Sequence, residues 1–129
     1  MFVATGIGPY CGEAVHFKNS APEPKGCAAN RYDFEAWRHL NIINNHLATQ
    51  TYMVGGAYSI VGMSVWGWAR AIPFVLGPGA LDQLHNVKRL FDEINARPAV
   101  IKAEAIRTRH TFKTEFDEDA RRNWFPAHV

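Results

Sequence analysis

Glu35 and His39 stand four residues apart, and His46 follows two helical turns beyond His39. On an α-helix, residues i and i+4 share a face, so a carboxylate and an imidazole would be presented side by side. A zinc site needs three or four convergent donors. Nothing nearby supplies the third, and these are read as ordinary surface or core histidines, with no metal site. Arg31 precedes Glu35 by one turn. In isolation that pair is a helix-surface ion pair worth a few tenths of a kcal/mol. A guanidinium can also hold a carboxylate through two parallel hydrogen bonds, so Arg31 has a second reading as an anion holder. Cys11 and Cys27 lie too far apart for a redox or metal pair and are too few for a disulfide scaffold. They read as free thiols in a reducing cytoplasm. No cation stands beside Cys11 to lower its pKa, which favours an inert thiol over one that forms mixed disulfides. No nucleophile elbow, phosphate loop or Ser–His–Asp pattern occurs, so no catalytic residue is assigned.

The elements that must position these residues are helical. Residues 1–17 form an apolar stretch interrupted by glycines, readable as a kinked helix ending near His16 and Phe17. Residues 18–27 hold two prolines and a glycine, which mark a loop. Phe34, Trp37, Leu40, Ile43 and Leu47 recur every three or four residues and predict a long helix over about 30–50, stopped by Gly55 and Gly56. Ser59 suits the N-cap of the next helix, with Tyr58 and Met63 placed as a hydrophobic staple. That helix is apolar on nearly every side, which predicts the buried centre of a bundle. Pro73 ends or kinks it, and Gly77-Pro78-Gly79 makes a loop. Val87, Leu90, Phe91 and Ile94 give a further amphipathic helix from about Asn86. Pro98 can open another in its first turn. From Thr108 to the end the chain is a charged tail whose Trp124-Phe125-Pro126 is expected to dock, because exposed paired aromatics are unfavourable.

The expected architecture is therefore one all-α domain over residues 1–129, a bundle of about five helices, with 108–129 as its tail. The composition agrees: 129 residues, 47% hydrophobic and 20% charged, is the balance of a globular chain. A formal net charge of +2 without a basic stripe gives no reason to expect nucleic acid as a partner. No run approaches the roughly 18 apolar residues of a membrane span. The apolar start has no preceding positive charge and is broken by Gly6, Gly8 and Pro9, which argues against a signal peptide.

Four segments in order resemble the C-terminal domain of bacterial glutathione S-transferases, in particular the nu-like group. They are Gly6-Ile7-Gly8-Pro9-Tyr10-Cys11-Gly12 with His16-Phe17 and Ala21-Pro22, then Arg31-Tyr32 with Glu35. Gly56-Ala57-Tyr58-Ser59-Ile60 through Trp66-Gly67-Trp68 follows, and Asn95-Ala96-Arg97-Pro98-Ala99-Val100 is the last. The resemblance implies a helical domain that packs on a thioredoxin-like domain, which holds glutathione and lowers the pKa of its thiol. This chain has no room for that domain, and it begins inside what looks like the first helix of the helical one. The expected function is the substrate-pocket domain of a parent enzyme that conjugates glutathione or reduces disulfides with it. Alone the domain is expected to be inactive.

The resemblance also assigns roles. Arg31 would reach glutathione bound on the other subunit of a homodimer. Phe2, Thr5, Pro9 and Tyr10 would line the pocket for the second substrate, with plain packing between domains as the alternative and the favoured role for Phe2 and Pro9. The Tyr10 phenol can donate a hydrogen bond to a thiolate or leaving group. One position departs from the pattern. The family carries Asp three residues after the capping Ser, and here that position is Gly62, which supplies no carboxylate and costs backbone entropy. A free-standing helical module for protein–protein contact is the alternative, by analogy of fold alone. In either case, residues 1–17 should present an apolar face.

Overall fold

A computed structural model describes residues 1–111, 113 and 115–126; the last part of the expected tail, residues 127–129, lies outside the described residues together with Phe112 and Thr114. The structure is helical, with no strand among the described residues. The first helix is a composite. Its α-helical centre, α1 (Gly8–Val15), is flanked by the π-helical turns Val3–Ile7 and His16–Ser20. Pro9 sits in the first turn of α1, where its missing N–H leaves no hydrogen bond unmade. The π-turns carry the helix through residues expected to be a loop, and only residues 21–25 break it before α2 (Gly26–Thr49).

The long helix α2 is the backbone of the domain, but its buried stripe is set differently from the expected one. Ala36, Leu40, Ile43 and Leu47 are buried, whereas Phe34 is 59% exposed and Trp37 is half-buried. Turning the helix that way also buries Glu35 and His39. Helix α2 ends at Thr49, before the glycines expected to stop it; Gly55 and Gly56 sit in the following turn, both with positive φ.

Beyond the turn come α3 (Ile60–Ala69), α4 (Ile72–Leu76), α5 (Ala80–Gln83), α6 (His85–Asn95) and α7 (Pro98–Glu104). A 3-10 turn (Arg107–Arg109) and α8 (Glu118–Trp124) close the described chain. The segmentation is finer than about five helices. The chain leaves α3 at Ala69, Pro73 stands in the first turn of α4, and Gly77 and Gly79 take positive φ around Pro78. Pro98 is the first residue of α7, as its chemistry favours.

Helix α3 is not the buried centre. It packs one side, through Gly62, Val65 and Ala69, while Ile60 is 78% and Met63 is 47% exposed. Its apolar outer face, not a core position, accounts for its uniform hydrophobicity. The core instead gathers Ile7, Cys11 and Ala14 of the first helix with Leu40, Ile43 and Leu47 of α2. Ile72 and Val75 of α4 and Val87, Leu90 and Ile94 of α6 complete it. No helix of the described residues is long and apolar enough to cross a membrane.

Two glycines are fixed by close approach. A Cβ on Gly6 would lie 2.6 Å from Cδ2 of His39, and one on Gly8 would lie 3.3 Å from the Trp68 ring. At these two positions the first helix comes this close to His39 of α2 and Trp68 of α3 because it carries no side chain there.

Candidate functional site

The site is organised by the seam between the first helix and α2. Because α2 turns Glu35 inward, its carboxylate is almost enclosed, at 4% exposure for the residue. A buried carboxylate must be paired to remain charged. Arg31 reaches back one turn, with Nη2 2.8 Å from Oε1. From the other side, Nε of Arg38 donates to Oε2 at 2.7 Å. That hydrogen bond, followed by the charges of the two arginines, holds the Glu35 carboxyl below the usual carboxylate range against the opposing effect of burial. The two arginines are not themselves enclosed: their side chains are 63% and 47% exposed.

His39 anchors the arrangement. Its Nδ1 donates to the carbonyl of Glu35 at 2.8 Å, one turn earlier, and its Nε2 lies 3.4 Å from Nη2 of Arg38. The Tyr10 ring packs on one part of the imidazole at 4.5 Å between centroids, and the Phe2 ring stacks on it at 5.4 Å. Rings continue outward from Tyr10 to Tyr32 at 6.2 Å, then to Phe17 stacked on Tyr32 at 5.4 Å. Next are His16 against Phe17 and Phe125 of the tail against His16. Phe125 is half-buried there, whereas Trp124 stays 66% exposed, so the tail's aromatic pair is only partly sheltered.

The residues singled out for a pocket are thus only partly brought together. Phe2 and Tyr10 meet on the His39 ring, one turn of α2 from Glu35. Thr5 and Pro9 are exposed on the other side of the first helix, and the Thr5 hydroxyl donates to the carbonyl of Met1 at 3.0 Å. An apolar hollow of about 460 Å³ opens beside Phe2, walled by Met53 and Val54 of the glycine turn and by Ile60, Val61 and Ser64 of α3. Thr5, Pro9 and Tyr10 are not in its wall. Cys11 is not in a cleft either. It is 2% exposed, and burial pushes its thiol up to about 11, so it is not ionised at neutral pH. His46 is separate from His39 and bonds the Met53 carbonyl at 3.1 Å.

Ser59 occupies the N-cap of α3 with extended backbone, as expected, but its side chain makes no capping bond and its hydroxyl oxygen is buried without a hydrogen-bond partner. The Tyr58 ring lies under the guanidinium of Arg97 at 3.8 Å and borders Gly62, while Met63 points outward. The sequence reading missed His39 as an organiser. Its spacing from Glu35 was visible, but the choice between a metal site and a stacked core histidine depends on Phe2, Tyr10 and Gly6, which only folding brings to it.

A helical bundle whose first helix lies in the groove of a long second helix defines a class, and residues 13–98 match the glutathione S-transferase C-terminal domain; the chain belongs to that family. It is similar to the disulfide-bond oxidoreductases YfcG and YghU of Escherichia coli. Each is 30% identical, over 76% and 82% of this chain and over 45% and 39% of their own lengths. The chain therefore spans less than half of these relatives. Among solved structures it resembles a glutathione transferase of Phanerochaete chrysosporium in complex with oxidized glutathione. The TM-score is 0.77 at 27% identity, covering 84% of this chain and 50% of that one. A family member from Pseudomonas fluorescens with two glutathione molecules bound superimposes with a TM-score of 0.70 at 32% identity, over 79% of this chain and 47% of that one.

Proposed function

We propose that this chain is the helical half of a glutathione-dependent enzyme that reduces disulfides, working with a thioredoxin-like domain that holds glutathione. In the chemistry we assign to the whole enzyme, a glutathione thiolate attacks one sulfur of the substrate disulfide. A mixed disulfide forms and the other sulfur leaves as a thiolate. A second glutathione thiolate attacks the glutathione sulfur of the mixed disulfide, giving oxidized glutathione and releasing the substrate's second thiolate, and both thiolates take protons from water. Disulfide reduction is preferred to conjugation because both Escherichia coli relatives are described as disulfide-bond oxidoreductases.

The observation that carries this reading is Arg31, an exposed guanidinium held in place by a buried carboxylate. In our reading its free edge meets a glutathione carboxylate across a homodimer. Phe2 and Tyr10, with Thr5 and Pro9 on the flank, border the second substrate. The apolar hollow beside Phe2 supports a seat for the thioredoxin-like domain, since a hollow of this kind is better covered than wet. Two free cysteines fit a reducing compartment, which we take to be the cytoplasm.

The same hollow would serve a free-standing interaction module, the second reading. The two are separated by adding the thioredoxin-like half of the YfcG relative as a separate chain. A defined one-to-one complex on size exclusion, weakened by Ile60→Asp, is expected for the enzyme half. Absence of any complex would favour the module.

A further inference from the structure

Phe2, Gly6 and Tyr10 follow one another at intervals of four residues along the first helix. In an α-helix such a column drifts by about 40° at each step. Here the first step runs through the π-turn Val3–Ile7, closed by the Gly8 N–H on the Val3 carbonyl. Its i→i+5 bonding advances the chain by a smaller angle per residue and offsets the drift. All three positions therefore meet one neighbour, His39. The imidazole fills the notch at Gly6, where a Cβ would lie 2.6 Å from its Cδ2 and 3.1 Å from its Nε2. The Phe2 and Tyr10 rings lie against it at interplanar angles of 29° and 32°. Both ring nitrogens are also engaged. The Glu35 carbonyl can only accept and the Arg38 guanidinium can only donate, so Nδ1 carries the proton and Nε2 faces Arg38 as the acceptor. At 6% exposure His39 offers a substrate almost no surface of its own, whereas Phe2 is 39% exposed and Tyr10 is half-buried.

We infer that His39 is a positioning residue for the second-substrate pocket: it sets where the Phe2 ring and the Tyr10 phenol stand, without touching the substrate itself. This rests on the reading that Phe2 and Tyr10 border that substrate, and it concerns the arm of the disulfide that is not glutathione. The flat ring does the positioning, since both neighbours meet it ring to ring. Phenylalanine at position 39 keeps such a surface. Leucine does not, and lets both rings settle into the vacated space. Glutathione is served from the other side of the cluster, where Arg31 and Arg38 hold Glu35 without help from the imidazole ring stack. The two substrates should therefore respond differently to the loss of the ring.

The test is steady-state kinetics of the full chain fused to the thioredoxin-like half of the YfcG relative, with hydroxyethyl disulfide and glutathione varied in turn. His39→Leu should raise KM for the disulfide about tenfold and leave KM for glutathione unchanged, while His39→Phe should stay within about twofold of wild type for both. In a Phe2→Ala/Tyr10→Ala background, His39→Leu should change the disulfide KM no further, because the residues it acts through are gone. Circular dichroism melts confirm that each variant folds. A variant that does not melt cooperatively is replaced by Gly6→Ala, whose Cβ presses on the same ring from the first helix and should raise the same KM. An unchanged disulfide KM, an equal rise in both KM values, or a phenylalanine variant as poor as leucine overturns the positioning role while the pocket reading stands. So does an undiminished effect of His39→Leu in the double-alanine background. A folded wild-type fusion that does not turn over the disulfide overturns the pocket reading and this inference with it.

Discussion

The side-chain oxygen of Asn44 on α2 accepts the backbone N–H of Asn86 on α6 at 2.9 Å, and that of Val87 at 3.3 Å. These are the second and third N–H groups of α6, the ones an N-cap side chain normally takes. The N-cap residue of α6 is Leu84, which has no acceptor, so α2 supplies the cap across the interface. The exchange is mutual. Asn86 Nδ2 donates to the carbonyl of Asn44, and Arg89 Nη2 donates to the carbonyls of Leu47, Gln50 and Thr51 at the end of α2. Asn44→Ala should therefore lower stability by about 1–2 kcal/mol, the loss of an N-cap. Asn44→Asp, which keeps the acceptor near the positive end of α6, should be close to neutral. Chemical denaturation of both variants checks this, and equal losses would show that the contact matters through packing and not capping.

Gly62 is the second point of leverage. The Ser59 hydroxyl is buried without a partner, and the nearest atoms a Cβ at position 62 would meet are in the Tyr58 ring and Ile94 Cδ1, at 3.8 Å, ordinary contact distance. There is room for a side chain. Gly62→Ala should add about 0.4–1 kcal/mol by restricting the unfolded chain. Gly62→Asp should add more, because its carboxylate can bond the N–H of Ser59 and favours the positive helix end. The measure is the melting temperature, with about 1 kcal/mol worth a few degrees for a chain of this size. An Asp variant no better than Ala would show that the cap does not form.

Gly6→Ala should act in the opposite direction. Its Cβ would press on the His39 ring, which Phe2, Tyr10 and the bond to the Glu35 carbonyl hold in place. Overpacking of this kind costs about 1–3 kcal/mol. A thermal melt would detect it. Gly12→Ala is the control, since nothing lies within 4 Å of a Cβ there, and that variant should not be destabilised.

The cysteines should separate cleanly in an alkylation experiment at pH 8. Cys27 is exposed and should react within minutes, while Cys11 should stay unmodified until the chain unfolds. Burial raises the Cys11 thiol from 9.0 to about 11. The unfolded chain loses that proton first, so stability is unaffected below about pH 9 and falls as pH rises from there to about 11. Mass spectrometry of peptides from the native protein reads the first effect. Rapid labelling of Cys11 in folded protein would contradict the packed first helix.

How much of this was legible in the sequence follows from what each signal measures. Val87, Leu90 and Ile94 announced the core side of α6 because a short amphipathic helix has one apolar face to bury. Helix α2 was announced as a helix, but Phe34 misled its phase. The buried side is decided by where the first helix lies, and its glycines bring it against His39 rather than against Phe34. Helix α3 misled for a related reason. Its residues are apolar all round, and composition does not say whether a face meets its own bundle or another surface. The cap of α6 was beyond reach, since Asn44 and Asn86 are 42 residues apart. Arg31, Tyr10 and Phe2 came from the family resemblance. The helical spacing already joined Glu35 to Arg31 and to His39, but the folded chain adds Arg38 and brings Phe2 and Tyr10 onto the His39 ring, which no local pattern could show.

The central claim is that Arg31 serves glutathione in a two-domain enzyme, and its most direct test is steady-state kinetics. Fused to the thioredoxin-like half of the YfcG relative, this chain should support glutathione-dependent reduction of a model disulfide. Arg31→Ala should then lower kcat/KM for glutathione by about tenfold or more, the scale of one charge-assisted hydrogen bond. Unchanged kinetics in the Arg31→Ala fusion, or a folded fusion with no glutathione-dependent turnover of disulfide or aryl halide, would contradict the account.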